Sequence, residues 1–232
     1  MKPHQLFLFV EGEGDRQAVP VLVKRLLKER GVQDRLVVAS NPFVVGEFPA
    51  LRGRANDFAP WKRFLELGLR KYSMESCLLL LDGDTPKQKG VPFCAMNAAR
   101  DLARIAEDRG AGSSFSASIV FARQEFESWL IAGAASLAGK SLADGRGIFP
   151  LNLSAPEGDI EESPRNAKGF FESVLSNNYR PSLHQASITS LVDLNLIRQR
   201  KMRSFRRLEN AIDEMISSLD TGRHIVSPIG PD

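Results

Sequence analysis

Short apolar runs alternate with amphipathic segments along the first 140 residues. The apolar runs are four to seven residues long and end at polar or turn-forming residues: Gln5–Val10, Leu36–Ala39, Ser76–Leu81 and Ser116–Ala122. Such runs are typical of strands buried on both faces. Apolar positions at helical spacing predict four helices: one from about Val19 to Gly31, with its start set by Pro20, then Asp57–Lys71, Cys94–Arg109 and Gln124–Ala138. This alternation predicts an α/β fold with a mainly parallel sheet flanked by helices.

The pattern changes after residue 139. Residues 139–165 are rich in Gly, Pro and acidic side chains and predict a long connection, as does the stretch from residue 40 to about Ala55. Three more helices are expected at about Pro164–Ser176, Pro181–Leu196 and Met202–Leu219, followed by a loose tail after Thr221. We therefore predict an α/β domain over residues 1–140 and a mainly helical C-terminal extension over residues 141–232 that packs on it.

Composition excludes several classes of protein. The chain has 232 residues, of which 43% are hydrophobic and 25% charged, as in ordinary globular proteins, and its net charge of +3 says little about partners. Its two cysteines, Cys77 and Cys94, have no C-x-x-C spacing, which argues against zinc or thiol chemistry. No apolar run approaches the ~18 residues of a membrane span, so we expect a cytoplasmic protein with no membrane contact.

Acidic residues stand where the predicted strands end. Glu11 and Asp15 follow the first strand, and Asp82 and Asp84 follow the strand Ser76–Leu81. The carboxyl ends of parallel strands share one edge of the sheet, so these side chains are expected to converge there. Mg²⁺ prefers such oxygen ligands. The alternative is that these acids only form turns, with Asp15 as a helix N-cap.

Glu125 and Glu127 follow the fourth predicted strand. On a helix two residues this close in sequence point about 200° apart. At least one of them is therefore expected to be a solvated or capping acid.

The order of these motifs resembles a known fold family. Val10-Glu-Gly, then Leu81-Asp-x-Asp84, then Phe126-Glu-x-Trp-Leu130 resembles the Toprim fold, in the branch related to OLD nucleases and RloB proteins, and specifically a Toprim-like family of unknown function. Residues 179–208 resemble that family's C-terminal part, so the resemblance spans about residues 5–215. It implies a Toprim/Rossmann-like α/β fold with a C-terminal helical extension.

The resemblance also implies roles for the acids. Glu11 would be a general acid/base or a metal ligand, Asp82 and Asp84 metal ligands for Mg²⁺ (or Mn²⁺), and Glu127 the additional acid of the RloB-like branch. Glu125 would be a second member of that last motif. Asp15 stands where relatives usually have Glu, so its shorter side chain is expected to serve as a cap.

Basic residues lie in two places that suit phosphate groups. Lys87 and Lys89 follow the Asp-Gly-Asp turn, and Arg203 and Arg207 belong to the basic block 198–207. They are candidate contacts for substrate phosphate. The alternative is a solvated face in which the arginines pair with nearby acids. His184 is expected to have a structural, hydrogen-bonded role.

These features favour a Mg²⁺-dependent, Toprim-like nuclease or phosphodiester/phosphate-transfer enzyme that acts on nucleic acid. The resemblance connects such an enzyme with phage defence or DNA repair. A second possibility is a partner-dependent or inactive Toprim module that works with a separate AAA or ABC-type ATPase, because the sequence contains no G-x-x-x-x-G-K-[ST] motif. A third is a phosphatase similar to haloacid dehalogenases, with Asp82 as nucleophile, although Thr85 stands one residue earlier than in that superfamily.

Overall fold

A parallel sheet forms the centre of the molecule. The computed structural model describes residues 3–84, 93–145, 147–162, 166–175 and 179–228. Within them the strands are β1 (His4–Val10), β2 (Leu36–Val38), β3 (Phe43–Val44), β4 (Ser76–Asp82), β5 (Ser116–Ala122) and β6 (Val226–Ser227). Their order is β2-β1-β4-β5-β6, with β3 also paired to β1, and every pairing is parallel. The prediction of a mainly parallel sheet is confirmed.

Helices cover both faces of this sheet. The first four are α1 (Glu13–Glu29), α2 (Phe48–Arg52), α3 (Ala59–Tyr72) and α4 (Ala95–Glu107). They are followed by α5 (Glu127–Ala132), α6 (Ala167–Val174), α7 (Pro181–Leu191), α8 (Leu194–Gln199) and α9 (Arg203–Thr221). The α/β class with helices at the C-terminus is therefore confirmed. No helix in the described ranges combines the length and apolar character needed to cross a membrane.

Alternate residues of each strand are buried in two different cores, one on each face of the sheet. In β1, Leu6 and Leu8 contact the core that includes α1, α5 and α9, whereas Phe7 and Phe9 contact the core that includes α3 and α4. The side chains of a strand alternate between the two faces of a sheet, so a strand covered on both faces reads as one apolar run. α7 packs on α1 and α9 on β5, and residues 181–221 thus help to form the first of these cores.

Several predicted boundaries are wrong. α1 begins at Glu13 and contains Pro20. Ala18, Val19 and Leu22 of this helix are buried against the sheet, and their packing compensates for the hydrogen bond that proline removes. The predicted loop before Ala55 contains β3 and α2, and the predicted loose tail contains β6. β3 and β6 each have two residues and depend on pairing with another strand.

The predicted helix Gln124–Ala138 is also much shorter. α5 starts only at Glu127, which is its first residue, and a 3-10 turn at Ala134–Leu137 follows it. Gly133 separates the two, and a Cβ at this position would overlap with Val192. The predicted helix Pro181–Leu196 is in fact α7 and α8, because Asp193 caps α8 by accepting a hydrogen bond from Asn195 N at 2.8 Å.

Candidate functional site

The carboxyl ends of β1 and β4 bring the first predicted acids together. Asp82 is the last residue of β4, and Glu11 follows the last residue of the adjacent β1. Glu11 Oε2 accepts a hydrogen bond from the backbone N–H of Asp82 at 3.0 Å. The parallel sheet thus places these two carboxylates side by side, as the sequence predicted.

The end of β4 is also tied to the segment that leads into α5. Asp82 Oδ1 accepts a hydrogen bond from Phe126 N at 2.8 Å, and Gly83 N donates to Gln124 O at 2.8 Å. A Cβ on Gly83 would lie 2.7 Å from the carbonyl oxygen of Ala122. Glycine is therefore required at this close approach of the two strand ends. These contacts hold Glu125 and Glu127 next to Asp82 and Asp84.

Both glutamates of this segment are buried, which corrects the prediction that at least one is a solvated or capping acid. The reason is that Glu125 precedes α5, so the two side chains do not project from a common helix. Glu125 Oε1 lies 3.2 Å from the Lys168 ammonium, and its Oε2 accepts the Lys168 backbone N–H at 3.3 Å. Glu127 Oε1 accepts a hydrogen bond from the Tyr179 hydroxyl at 2.9 Å.

Asp15 is a sixth acid at this edge. It lies in the first turn of α1, where its Oδ2 accepts the backbone N–H of Gly12, the N-cap residue, at 3.1 Å. Its other oxygen, Oδ1, accepts a hydrogen bond from Gln185 Nε2 at 3.2 Å. The predicted N-cap role of Asp15 is therefore wrong, since Gly12 is the N-cap, but Asp15 supports the helix start from the third helical position and also contacts α7.

Burial and neighbouring carboxylates raise the pKa values of Glu11, Asp15, Asp82, Asp84 and Glu127. Burial, followed by the charges of neighbouring carboxylates, raises the pKa of Glu11 and of Glu127 to about 7 each. Burial and the charges of Asp15, Glu11 and Glu127 raise the pKa of Asp82 well above its ordinary value. The pKa values of Asp15 and Asp84 are also raised, mainly by burial. This pattern marks a site in which negative charge exceeds positive charge.

Lys168 supplies positive charge to this site. Burial alone would lower its pKa, but the carboxylates of Glu127, Glu125 and Asp82 raise it. Its charge in turn favours ionisation of Asp15, Asp82, Asp84 and Glu127. Lys168 was not predicted from the sequence. The residues next to it do not distinguish it from a surface lysine, and its partner Glu125 lies 43 residues away.

The predicted phosphate contacts have different surroundings. Arg207 pairs with Glu214 at 3.0 Å and contacts Ser227 in β6, so it is tied to the sheet edge away from the acids. Arg203 is exposed and lines a cavity of about 310 Å³. The charged residues that line it with Arg203 are both basic and acidic: Arg123, Arg200, Lys201, Asp159, Glu161 and Glu162. Lys87 and Lys89 lie outside the described residues. His184 is buried and its Nδ1 accepts the Arg180 N–H at 2.9 Å, a structural contact.

The donor set suits a hard divalent cation, although the side chains do not surround one point. All six acids offer carboxylate oxygens, the ligands that Mg²⁺ and Mn²⁺ prefer. Among the residues whose positions are described, no group of three or more His, Cys, Asp or Glu side chains is arranged as a metal site. Binding of an ion would therefore require some of these carboxylates to turn toward it.

Comparison with solved structures finds two similar chains. The C-terminal region of the Burkholderia pseudomallei OLD protein is 13% identical, with a TM-score of 0.46 over 93% of this chain and 100% of that chain. The C-terminal region of the Xanthomonas campestris pv. campestris OLD protein is 12% identical, with a TM-score of 0.37 over 94% of this chain and 97% of that one.

Comparison with curated proteins finds no match. The family model described as Domain of unknown function (DUF4276) matches residues 10–213, nearly the whole chain. The expectation from the sequence motifs, membership of a family of unknown function, is thereby confirmed. This chain belongs to the DUF4276 family.

Proposed function

We propose that the acid cluster binds Mg²⁺ or Mn²⁺ and that the protein cleaves or transfers phosphodiesters of nucleic acid. One observation carries the proposal: six carboxylates lie at one edge of the sheet, with a single lysine, Lys168, compensating their charge within the described part of the chain. The six are Glu11, Asp15, Asp82, Asp84, Glu125 and Glu127. A cluster with such a deficit of positive charge favours a divalent cation over protons at neutral pH.

The ligands of the proposed ion are the acids named by the sequence motifs. Glu11, Asp82 and Glu127 each accept a hydrogen bond from another residue on one oxygen, and within the described part of the chain no other residue donates to their second oxygen. These free oxygens, with the carboxylates of Asp84 and Glu125, would hold the ion. When bound, the ion would neutralise phosphate charge and lower the pKa of a water molecule.

The residues of the chain contribute proton transfer and charge. In the absence of an ion the pKa of Glu11 is about 7, so a Glu11 carboxylate that does not hold the ion could accept and release a proton near neutral pH. The Lys168 side chain is 44% exposed, so its ammonium can face the acids on one side and a substrate phosphate oxygen on the other. Arg203 lines a cavity of mixed charge, with three other basic residues and three acids, and its exposed side chain is a further candidate contact for a substrate phosphate.

Cleavage assays test this proposal. Supercoiled plasmid and single-stranded RNA are incubated with Mg²⁺ or Mn²⁺ and the wild type, Glu11→Ala, Asp82→Ala or the control Glu162→Ala. Glu162 is an acid of the same edge whose side chain is exposed and pairs with Arg123. We expect metal-dependent cutting by the wild type and the control and loss of cutting in the other two variants. Equal cutting by all four proteins would refute the assignment of the site.

The arrangement of the acids in the chain without a partner favours a second function. Glu11, Asp82, Glu125 and Glu127 all accept hydrogen bonds from neighbouring groups, which suits a module whose acids rearrange when a partner binds. A separate AAA or ABC-type ATPase is the candidate, with a role in phage defence or DNA repair. Cutting that needs both ATP and the added ATPase would favour this version, whereas cutting by the isolated chain would exclude it.

A further inference from the structure

Tyr179 links the C-terminal half of the chain to a buried acid of the site. Its hydroxyl donates a hydrogen bond to Glu127 Oε1 at 2.9 Å, and the two residues are 6% and 1% exposed. Glu127 starts α5, and Tyr179 lies just before α7, 52 residues later. A hydrogen bond between two groups this deeply buried is maintained without competition from water.

The tyrosine ring is held independently of this hydrogen bond. Its centroid lies 5.3 Å from that of Phe171 and 5.9 Å from that of His184, on which it stacks. The following helix is fixed as well, because Gln185 donates to Asp15 and Pro181 packs close to Gly14. Removal of the hydroxyl alone would therefore leave the ring in place and release only the carboxylate.

A neutral donor has an advantage over a charged one at this position. Lys168 already attracts Glu127 and the other acids, and a second cation would compete further with a metal ion. The Tyr179 hydroxyl orients the carboxylate and adds no positive charge. It occupies Oε1, and no other residue in the described part of the chain donates a hydrogen bond to Oε2.

We propose that Tyr179 is a positioning residue that orients the Glu127 carboxylate for a divalent cation. This inference rests on the proposed function. Without the hydroxyl, the carboxylate can rotate toward the Lys168 ammonium, and the ion loses a ligand that was already oriented. Partners that fix a metal ligand in this way typically change metal affinity by about 10- to 100-fold.

The test is the affinity for Mn²⁺, measured by isothermal titration calorimetry on the full chain. Tyr179→Phe keeps the ring and removes the hydrogen bond, and Tyr72→Phe is a matched control because Tyr72 is the other tyrosine of the chain and is exposed. We expect about 10- to 100-fold weaker binding for Tyr179→Phe and wild-type binding for Tyr72→Phe. In a Glu127→Ala background, which has no acceptor for this hydrogen bond, Tyr179→Phe should have little further effect.

The outcomes separate the two proposals. Wild-type binding of Mn²⁺ with no loss in Tyr179→Phe, or an equal loss in both backgrounds, would refute the role of Tyr179 only. Absence of Mn²⁺ binding by the wild type would refute the metal site and this inference with it.

A second measurement does not depend on folding of the Tyr179 variant. In 3-fluorotyrosine-labelled protein, Tyr72→Phe identifies the two ¹⁹F resonances. Addition of Mg²⁺ should shift the Tyr179 resonance and leave that of Tyr72 unchanged. An unchanged Tyr179 resonance at saturating Mg²⁺ would contradict the proposal.

Discussion

Glu127 offers a direct test of the electrostatics of the site through the pH dependence of stability. Its pKa rises from 4.5 to about 7 in the folded protein, because the side chain is buried among other carboxylates. Between these two pH values the folded state keeps a proton that the unfolded state has lost. This group therefore stabilises the fold fully below pH 4.5, and its contribution is lost as the pH rises through 7.

The size of this effect follows from the two pKa values. One pKa unit corresponds to ~1.36 kcal/mol, so the rise lowers the free energy of unfolding by about 3 kcal/mol between acidic and alkaline pH. Glu127→Gln cannot titrate, and its amide oxygen can still accept the Tyr179 hydrogen bond. Relative to the wild type, the variant should gain about 3 kcal/mol from pH 4.5 to pH 8.5, or a rise in melting temperature of roughly 6–12 °C.

The assay is urea and thermal unfolding of both proteins in metal-free buffer at the two pH values. Glu172→Gln, which changes an exposed glutamate of α6, controls for the loss of one negative charge. A stability difference between Glu127→Gln and the wild type that is the same at both pH values would refute the reasoning. Excess Mg²⁺ at pH 8.5 should reduce the difference, because an ion that binds only the folded wild type stabilises it.

Other predictions concern the packing and charge around the site. Lys168→Met should increase Mn²⁺ affinity severalfold, because it removes a cation that competes with the ion. It should also lower any cleavage rate, because it removes a phosphate contact. Weaker Mn²⁺ binding by calorimetry would contradict this prediction. Gly14→Ala should destabilise the protein by about 1–3 kcal/mol in urea unfolding, because the new Cβ would overlap with Gln185 Oε1 and lie 2.7 Å from Pro181 Cβ. Gln185→Ala should recover part of that loss. Glu161→Ala should lower the free energy of unfolding by about 1–3 kcal/mol in the same assay. The buried carboxylate accepts hydrogen bonds from the first two backbone N–H groups of α9, at 2.8 and 2.7 Å. An unchanged urea midpoint would argue against this capping role.

The strands were the most predictable part of the fold. Ser116–Ala122 was predicted with its observed bounds, since a strand covered on both faces must be apolar throughout. β3 and β6 were missed, because two-residue strands carry no periodic pattern and form only where another strand offers hydrogen bonds. The α5 helix was overestimated because sequence periodicity does not show that Val192 packs where a side chain at Gly133 would lie.

The site was predictable only where it depends on strand ends. Glu11 and Asp82 lie together because neighbouring parallel strands end at the same edge, which the apolar runs indicate. Lys168 and Tyr179 approach their partners from 43 and 52 residues away, through the packing of helices whose relative positions no local pattern encodes. The assignment of metal-binding roles to these acids stays a prediction.

The position of β6 has a consequence for the order of folding. β6 pairs with the first half of β5, and Ile225 N donates to Ser116 Oγ across 109 residues of sequence. During synthesis the first half of β5 would stay an open edge until residues 226 and 227 had left the ribosome. Unpaired strand edges promote association between chains. Refolding of this protein should therefore be sensitive to protein concentration, and a chaperone that shields a strand edge should raise its yield.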